Sequence, residues 1–164
     1  MKKDYKFMFL DKSKINDILP LLFDLLFENM KDIAFFEDGY DKAKNDFLKR
    51  VSPAMSKENR QIVLFYSEND LAGYAQYYIN DTTFMVEEIQ LKSQHKRTML
   101  LYQFCKFMKN IVPKSTLYIE AFTDKRNINS QNLIKSFGMK IIDDKNEKFY
   151  HFIGDFKKLS CSFK

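Results

Sequence analysis

At 164 residues, with 45% hydrophobic and 16% aromatic side chains, the chain can bury one ordered core, and no Pro-, Gly- or Ser-rich linker divides it. The 27 Lys and Arg and 22 Asp and Glu leave a net charge of +5 spread along the chain, which argues against a nucleic-acid binder built on a basic block. The longest apolar stretch, ILPLLFDLLF, contains Pro20 and Asp24 and falls short of the roughly 20 residues of a membrane span, while FMFL is too short for a signal peptide; a soluble cytoplasmic protein without a membrane partner is expected.

In chain order, a short strand over residues 6–10 precedes Ser13, a candidate N-cap, after which Ile15, Ile18, Leu19, Leu22, Leu26 and Met30 recur at helical spacing. Pro20 is expected to bend this helix or mark its first turn. A second helical pattern, Tyr40, Ala43, Phe47 and Val51, closes near Ser52 and Pro53. RQIVLFY and LAGYAQYYI then read as a hairpin turned at SEND, and NDTT leads into a third strand over residues 84–91.

After the turn QHKRTM, the residues Leu100, Leu101, Phe104, Cys105, Met108 and Ile111 form one face of a helix that Pro113 stops. TLYIEAF is a strand, NINSQNLIKSF a short helix ended by Gly138, and MKII and FYHFI are closing strands. The order is βααβββαβαββ, an α/β (α+β) domain over residues 1–164 with a mainly antiparallel sheet. The strand over 84–91 reaches TLYIEAF through a helix, so those two strands are expected to be parallel. Cys105 and Cys161 form no CxxC and fit a reducing compartment, and with only His95 and His151 no metal site is expected.

This order, with two motifs between Glu87 and Met139, resembles the GNAT superfamily of acyl-CoA-dependent N-acetyltransferases. The family places a loop of the form (Q/R)xxGx(G/A) between a strand and a long helix. Here Gln94 holds the first position, and Arg97 and Met99 stand where the two glycines belong. The family's later Asn, small residue, Tyr and Gly-Phe correspond to Asn127, Ser130, Ile134 and Gly138-Met139.

The resemblance implies a splayed parallel strand pair, acetyl-CoA as co-substrate, and acetyl transfer by direct attack of an amine of a small molecule or peptide. The alternative is a catalytically weak or inactive module of the same fold that binds acyl-CoA. A helix N-terminus offers unpaired N–H groups and a positive dipole end to a pyrophosphate; His95, Lys96, Arg97, Thr98, Met99 and Leu100 are the candidates. Lys96 and Arg97 either turn outward and add charge to that site or crowd it.

By the same resemblance the backbone of Glu87, Glu88 and Ile89 contacts the pantetheine and acyl group, with an amide near Ile89 polarising the thioester. Asn127 either reaches the pantetheine arm or caps its helix. Glu120 and Glu88 are the candidate bases; strand alternation puts Glu87 and Glu88 on opposite faces, so at most one of them points into the splay. Ile134 replaces the family's usual acid and cannot donate a proton. Glu28, Glu37 and Asp38 offer charge to a cationic acceptor or form a solvated turn, and a homodimer through an edge strand is possible.

Overall fold

The computed structural model describes residues 4–33, 36 and 38–161. Strands β1 (Tyr5–Phe9), β2 (Arg60–Ser67), β3 (Asp70–Asn80), β4 (Thr83–Leu91), β5 (Tyr118–Asp124), β6 (Lys140–Asp143) and β7 (Phe149–Asp155) form one sheet in the order β1-β2-β3-β4-β5-β7-β6. The helices are α1 (Ile15–Met30), α2 (Gly39–Ala54), α3 (Leu100–Ile111) and α4 (Ile128–Ser136), with short 3-10 turns at Lys12–Lys14 and Ser93–His95. Every strand pair is antiparallel except β4 with β5, as the helical crossover through α3 requires.

Period-two alternation divides the core between the two faces. Ile62 and Leu64 of β2 face α1 and α2, where they pack with Tyr74, Leu19, Leu22, Phe23, Phe47, Val51 and Met55. Val63 and Phe65, one residue out of phase, face α3 and join Ala75, Tyr77, Phe84, Phe104, Met108, Ile119 and Phe152. The apolar stripe of α3 thus covers one face, with Ile111 left 41% exposed at its end.

Some local expectations change, while the stop before Pro113 and the end at Gly138 hold. Ser13 is not an N-cap: its amide and hydroxyl both donate to Asp11 Oδ1, and α1 begins two residues later. Pro20 lies inside α1 and Pro53 inside the last turn of α2, each omitting one helical donor. Val112 adopts the extended conformation that a following proline favours, so α3 stops before Pro113. Gly138 closes α4 at φ +89°, a left-handed conformation suited to glycine. Cys105 and Cys161, separated by 56 positions, form a disulfide that ties α3 to the C-terminal segment. That bond removes the cysteine argument for a reducing compartment.

Candidate functional site

The strands β4 and β5 separate halfway along. Their ladder runs from Thr83 with Tyr118 to Val86 with Ala121 and stops there, although β4 continues to Leu91 and β5 to Asp124. Beyond the fork, β4 pairs only with β3 and β5 only with β7, so two backbone edges face an open wedge. Lys92 N–H donates to the Ala72 carbonyl at 2.9 Å on the β3 side. Alternation back along β4 therefore turns the N–H and C=O of Ile89 toward the wedge. The Leu91 carbonyl points away from β3 too, but accepts from Asn29 Nδ2 at 3.0 Å.

At the end of that wedge lies the N-terminus of α3. The first intrahelical bond across its start runs from Gln103 N–H to the Met99 carbonyl at 2.9 Å, and the amides of the first turn are directed outward from the helix end. Thr98 shapes the approach: its hydroxyl donates to the His95 carbonyl at 2.8 Å and accepts the Leu100 amide at 3.3 Å. Arg97 adopts φ +60°, the left-handed conformation for which glycine is favoured, and its side chain is exposed. Met99, at φ −71° and ψ 0°, sits in the right-handed region and needs no glycine. The turn thus keeps a left-handed residue where the first glycine was missing, at the expense of backbone strain at Arg97.

Two members of the expected phosphate set are corrected. His95 is buried, with Nδ1 at 3.2 Å from the Tyr5 hydroxyl, and its amide is bonded to the Lys92 carbonyl at 2.9 Å. The Lys96 amide is bonded to the Ser93 carbonyl at 3.2 Å, so this residue has only its side chain to offer. Arg97, Thr98 and Met99 remain at the mouth of the helix, while the Leu100 amide already donates to Thr98 Oγ1 at 3.3 Å. Asn127 caps α4 by accepting the Ser130 amide on Oδ1 at 3.0 Å, which leaves its NH2 for any ligand. Between β5 and α4, buried Asp124 accepts Arg126 Nε and Nη2 at 2.9 and 2.7 Å, and these bonds hold its carboxyl below the usual value despite burial.

The carboxylates are arranged differently from simple alternation. The β3 to β4 register steps from Gln76 with Glu88 to Tyr77 with Val86, so Glu87 is the extra residue of a β-bulge. Glu87 accepts from Gln76 Nε2 at 2.9 Å and Arg60 Nη2 at 2.6 Å. Gln76 shares its face with Glu88, so the bulge brings both carboxylates to the α1–α2 face, correcting the expectation of opposite faces. Arg60 neutralises Glu87.

Glu88 is half-buried, and desolvation pushes its carboxyl from 4.5 to about 7, against the hydrogen bond from Gln90 Nε2 at 2.6 Å and the charge of Arg50. Beside it the buried Tyr74 hydroxyl has no hydrogen-bond partner among the described residues, and burial first, then the Glu88 charge, pushes its pKa well above the ordinary value.

Glu120 shares this face: it pairs with Met85 in the closed ladder just before the fork, opposite in phase to core residues Ile119 and Ala121. Its Oε2 lies 2.8 Å from His151 Nε2 on β7, and the His151 ring stacks on Phe122 with centroids 4.2 Å apart. His151 carries no local signal of this role, because both of its links depend on β7 lying beside β5.

A groove of about 420 Å³ opens between α1 and α2, floored by Phe23, Leu26 and Phe47 and reaching Arg50, whose charge acts on Glu88. Asp38, at its rim, pairs with Lys42 at 2.8 Å; Glu28 pairs with Lys31 at 2.9 Å; Glu37 lies outside the described residues. Among the described residues no cluster of His, Cys, Asp or Glu could hold a metal ion, and no helix is long and apolar enough to cross a membrane.

No protein-family model and no curated protein matches the chain. Solved structures do. The PaiA N-acetyltransferase of Thermoplasma acidophilum, in complex with coenzyme A, aligns at a TM-score of 0.72 and 12% identity over 93% of this chain and 99% of that one. An acetyltransferase from Thermus thermophilus aligns at 0.76 and 11% over 94% and 99%. The Campylobacter jejuni N-acetyltransferase PseH with acetyl coenzyme A aligns at 0.62 and 12% over 92% and 99%. The chain shares the fold of these acetyltransferases, a mostly antiparallel sheet with one parallel strand pair.

Proposed function

We propose that the protein transfers an acetyl group from acetyl-CoA to an amine of a small molecule or peptide. The observation that carries this reading is that the open edge of β4 runs into the exposed N-terminus of α3, with left-handed Arg97 between them. A pyrophosphate fits the outward amides and the positive dipole end there. The extended pantetheine arm fits the unpaired edge at Ile89, and Arg97 adds a cation in solvent reach.

Acetyl-CoA supplies an activated thioester carbonyl. The Ile89 amide is the group oriented to receive that carbonyl oxygen, as its charge grows when the amine adds and a C–N bond forms. Loss of the C–S bond then releases coenzyme A as a thiolate. One proton leaves the amine nitrogen and one reaches the thiolate. Glu88, with its carboxyl near 7, is matched to accept the first at neutral pH; Glu120, bonded to His151, offers a second route on the same face. Ile134 packs against the core and donates nothing, so water protonates the thiolate.

Two measurements test this. Acetyl-CoA at millimolar concentration should raise the melting temperature, and coenzyme A thiol should appear with at least one member of a broad amine panel. Absence of stabilisation removes the binding claim; stabilisation without thiol release reduces the protein to an acyl-CoA-binding module.

A further inference from the structure

A chain of side-chain hydrogen bonds leaves the turn before α3 and ends on Glu88. Lys96 Nζ donates to Asn29 Oδ1 at 2.7 Å, Asn29 Nδ2 donates to Gln90 Oε1 at 2.8 Å, and Gln90 Nε2 donates to Glu88 Oε1 at 2.6 Å. The sense of the chain is fixed from its first member. An ammonium donates and never accepts, so the atom of Asn29 facing Lys96 is oxygen and the atom facing Gln90 is NH2. Gln90 must then meet Asn29 with its oxygen and turn its own NH2 to Glu88. The Leu91 carbonyl, accepting from the same Asn29 Nδ2 at 3.0 Å, enforces the same choice.

Gln90 by itself has two amide orientations. One donates to a carboxylate; the other presents an oxygen, which suits Glu88 only when it is protonated. Gln90 is buried at the site, so water does not readily substitute for either partner. We propose that Lys96, Asn29 and Gln90 are positioning residues that hold Glu88 ionised and in place, so that the loop before α3 governs the basicity of a carboxylate two side chains away.

The other groups acting on Glu88 are Arg50 from α2, which favours its ionised form, Glu87 on β4, which opposes it, and the buried Tyr74 hydroxyl on β3. Asn29, the contribution from α1, is uncharged. Its replacement therefore alters Glu88 through the hydrogen-bond chain and not through a lost charge. The proposal rests on reading Glu88 as the site's carboxylate, but its test needs neither acetyl-CoA nor an acceptor.

The full chain, with glutamate labelled at the side-chain carboxyl carbon, is titrated by NMR, and the Glu88 signal is assigned by its loss in Glu88→Gln. Gln90→Leu, Asn29→Ala and Lys96→Met should each move the Glu88 midpoint upward by at least about 0.5 pH unit. Lys92→Met, which removes a cation lining a cavity of about 270 Å³ together with Asn29 and Lys96 but no link of the chain, should move it less than half as far as Lys96→Met. An unchanged midpoint in Asn29→Ala overturns the proposal, as does an equal effect of Lys92→Met and Lys96→Met. Asn29 and Lys96 lie outside both cores, so these two arms decide even where Gln90→Leu fails to fold. If acetyl-CoA does not bind while the midpoints move as stated, the functional reading is lost and the chain stands.

Discussion

Replacing Glu88 with glutamine should stabilise the protein at alkaline pH and leave it unchanged in acid. Burial raises the folded carboxyl from 4.5 to about 7, so the folded state binds a proton that the unfolded state has already released across this window. The contribution of this group to stability is therefore full below about pH 4.5 and lost progressively as pH rises to about 7. The gap corresponds to at most about 3 kcal/mol, and partial solvent access to a half-buried side chain brings the expected gain to about 1–3 kcal/mol. Glutamine keeps the shape and can still accept from Gln90 Nε2, so packing is conserved.

The assay is urea denaturation of both proteins at pH 4.5 and pH 8. A difference that is near zero in acid and reaches about 1 kcal/mol or more at pH 8 is expected. A constant difference at both pH values would refute the claim that burial raises the Glu88 carboxyl in the folded state. The same substitution should abolish any fall in turnover between pH 8 and pH 6, since the native carboxylate is lost to protonation as pH drops through about 7.

Glu120→Gln and His151→Asn should each lower kcat by about 10²-fold with little change in KM for acetyl-CoA if the pair carries a proton, and steady-state kinetics read this directly. Arg97→Gly should stabilise the fold by about 1 kcal/mol by relieving the left-handed strain, while the loss of one cation weakens acetyl-CoA binding; thermal melts and calorimetric titration separate the two effects. Reducing the bond between Cys105 and Cys161 should cost about 2–4 kcal/mol, measured by denaturation with and without dithiothreitol.

The element order was readable because each element carries its own period: Ile62 and Leu64 against Val63 and Phe65 on β2, or Leu100, Phe104 and Met108 on α3. The position of the loop was readable for the same reason, since it lies between two strongly periodic segments. What escaped depends on long-range pairing. The bulge at Glu87 is a property of the β3 to β4 register, and it reverses the face that simple alternation assigns. His151 meets Glu120 only because β7 inserts between β5 and β6, and Cys105 meets Cys161 across 56 positions. His95 looked like part of a cationic turn, but its ring folds back onto Tyr5 of β1, 90 positions away. A local signal existed only for Arg97, whose place in the loop pattern marked a position where a left-handed residue was required.

The most direct test is a crystal structure with acetyl-CoA. Pyrophosphate oxygens are expected on amides of the first turn of α3 beside Arg97, with the pantetheine arm along the open edge of β4 and the thioester carbonyl facing the Ile89 amide on the side of Glu88 and Glu120. A wedge between β4 and β5 that stays empty at saturating ligand, or coenzyme A seated elsewhere, would contradict this placement.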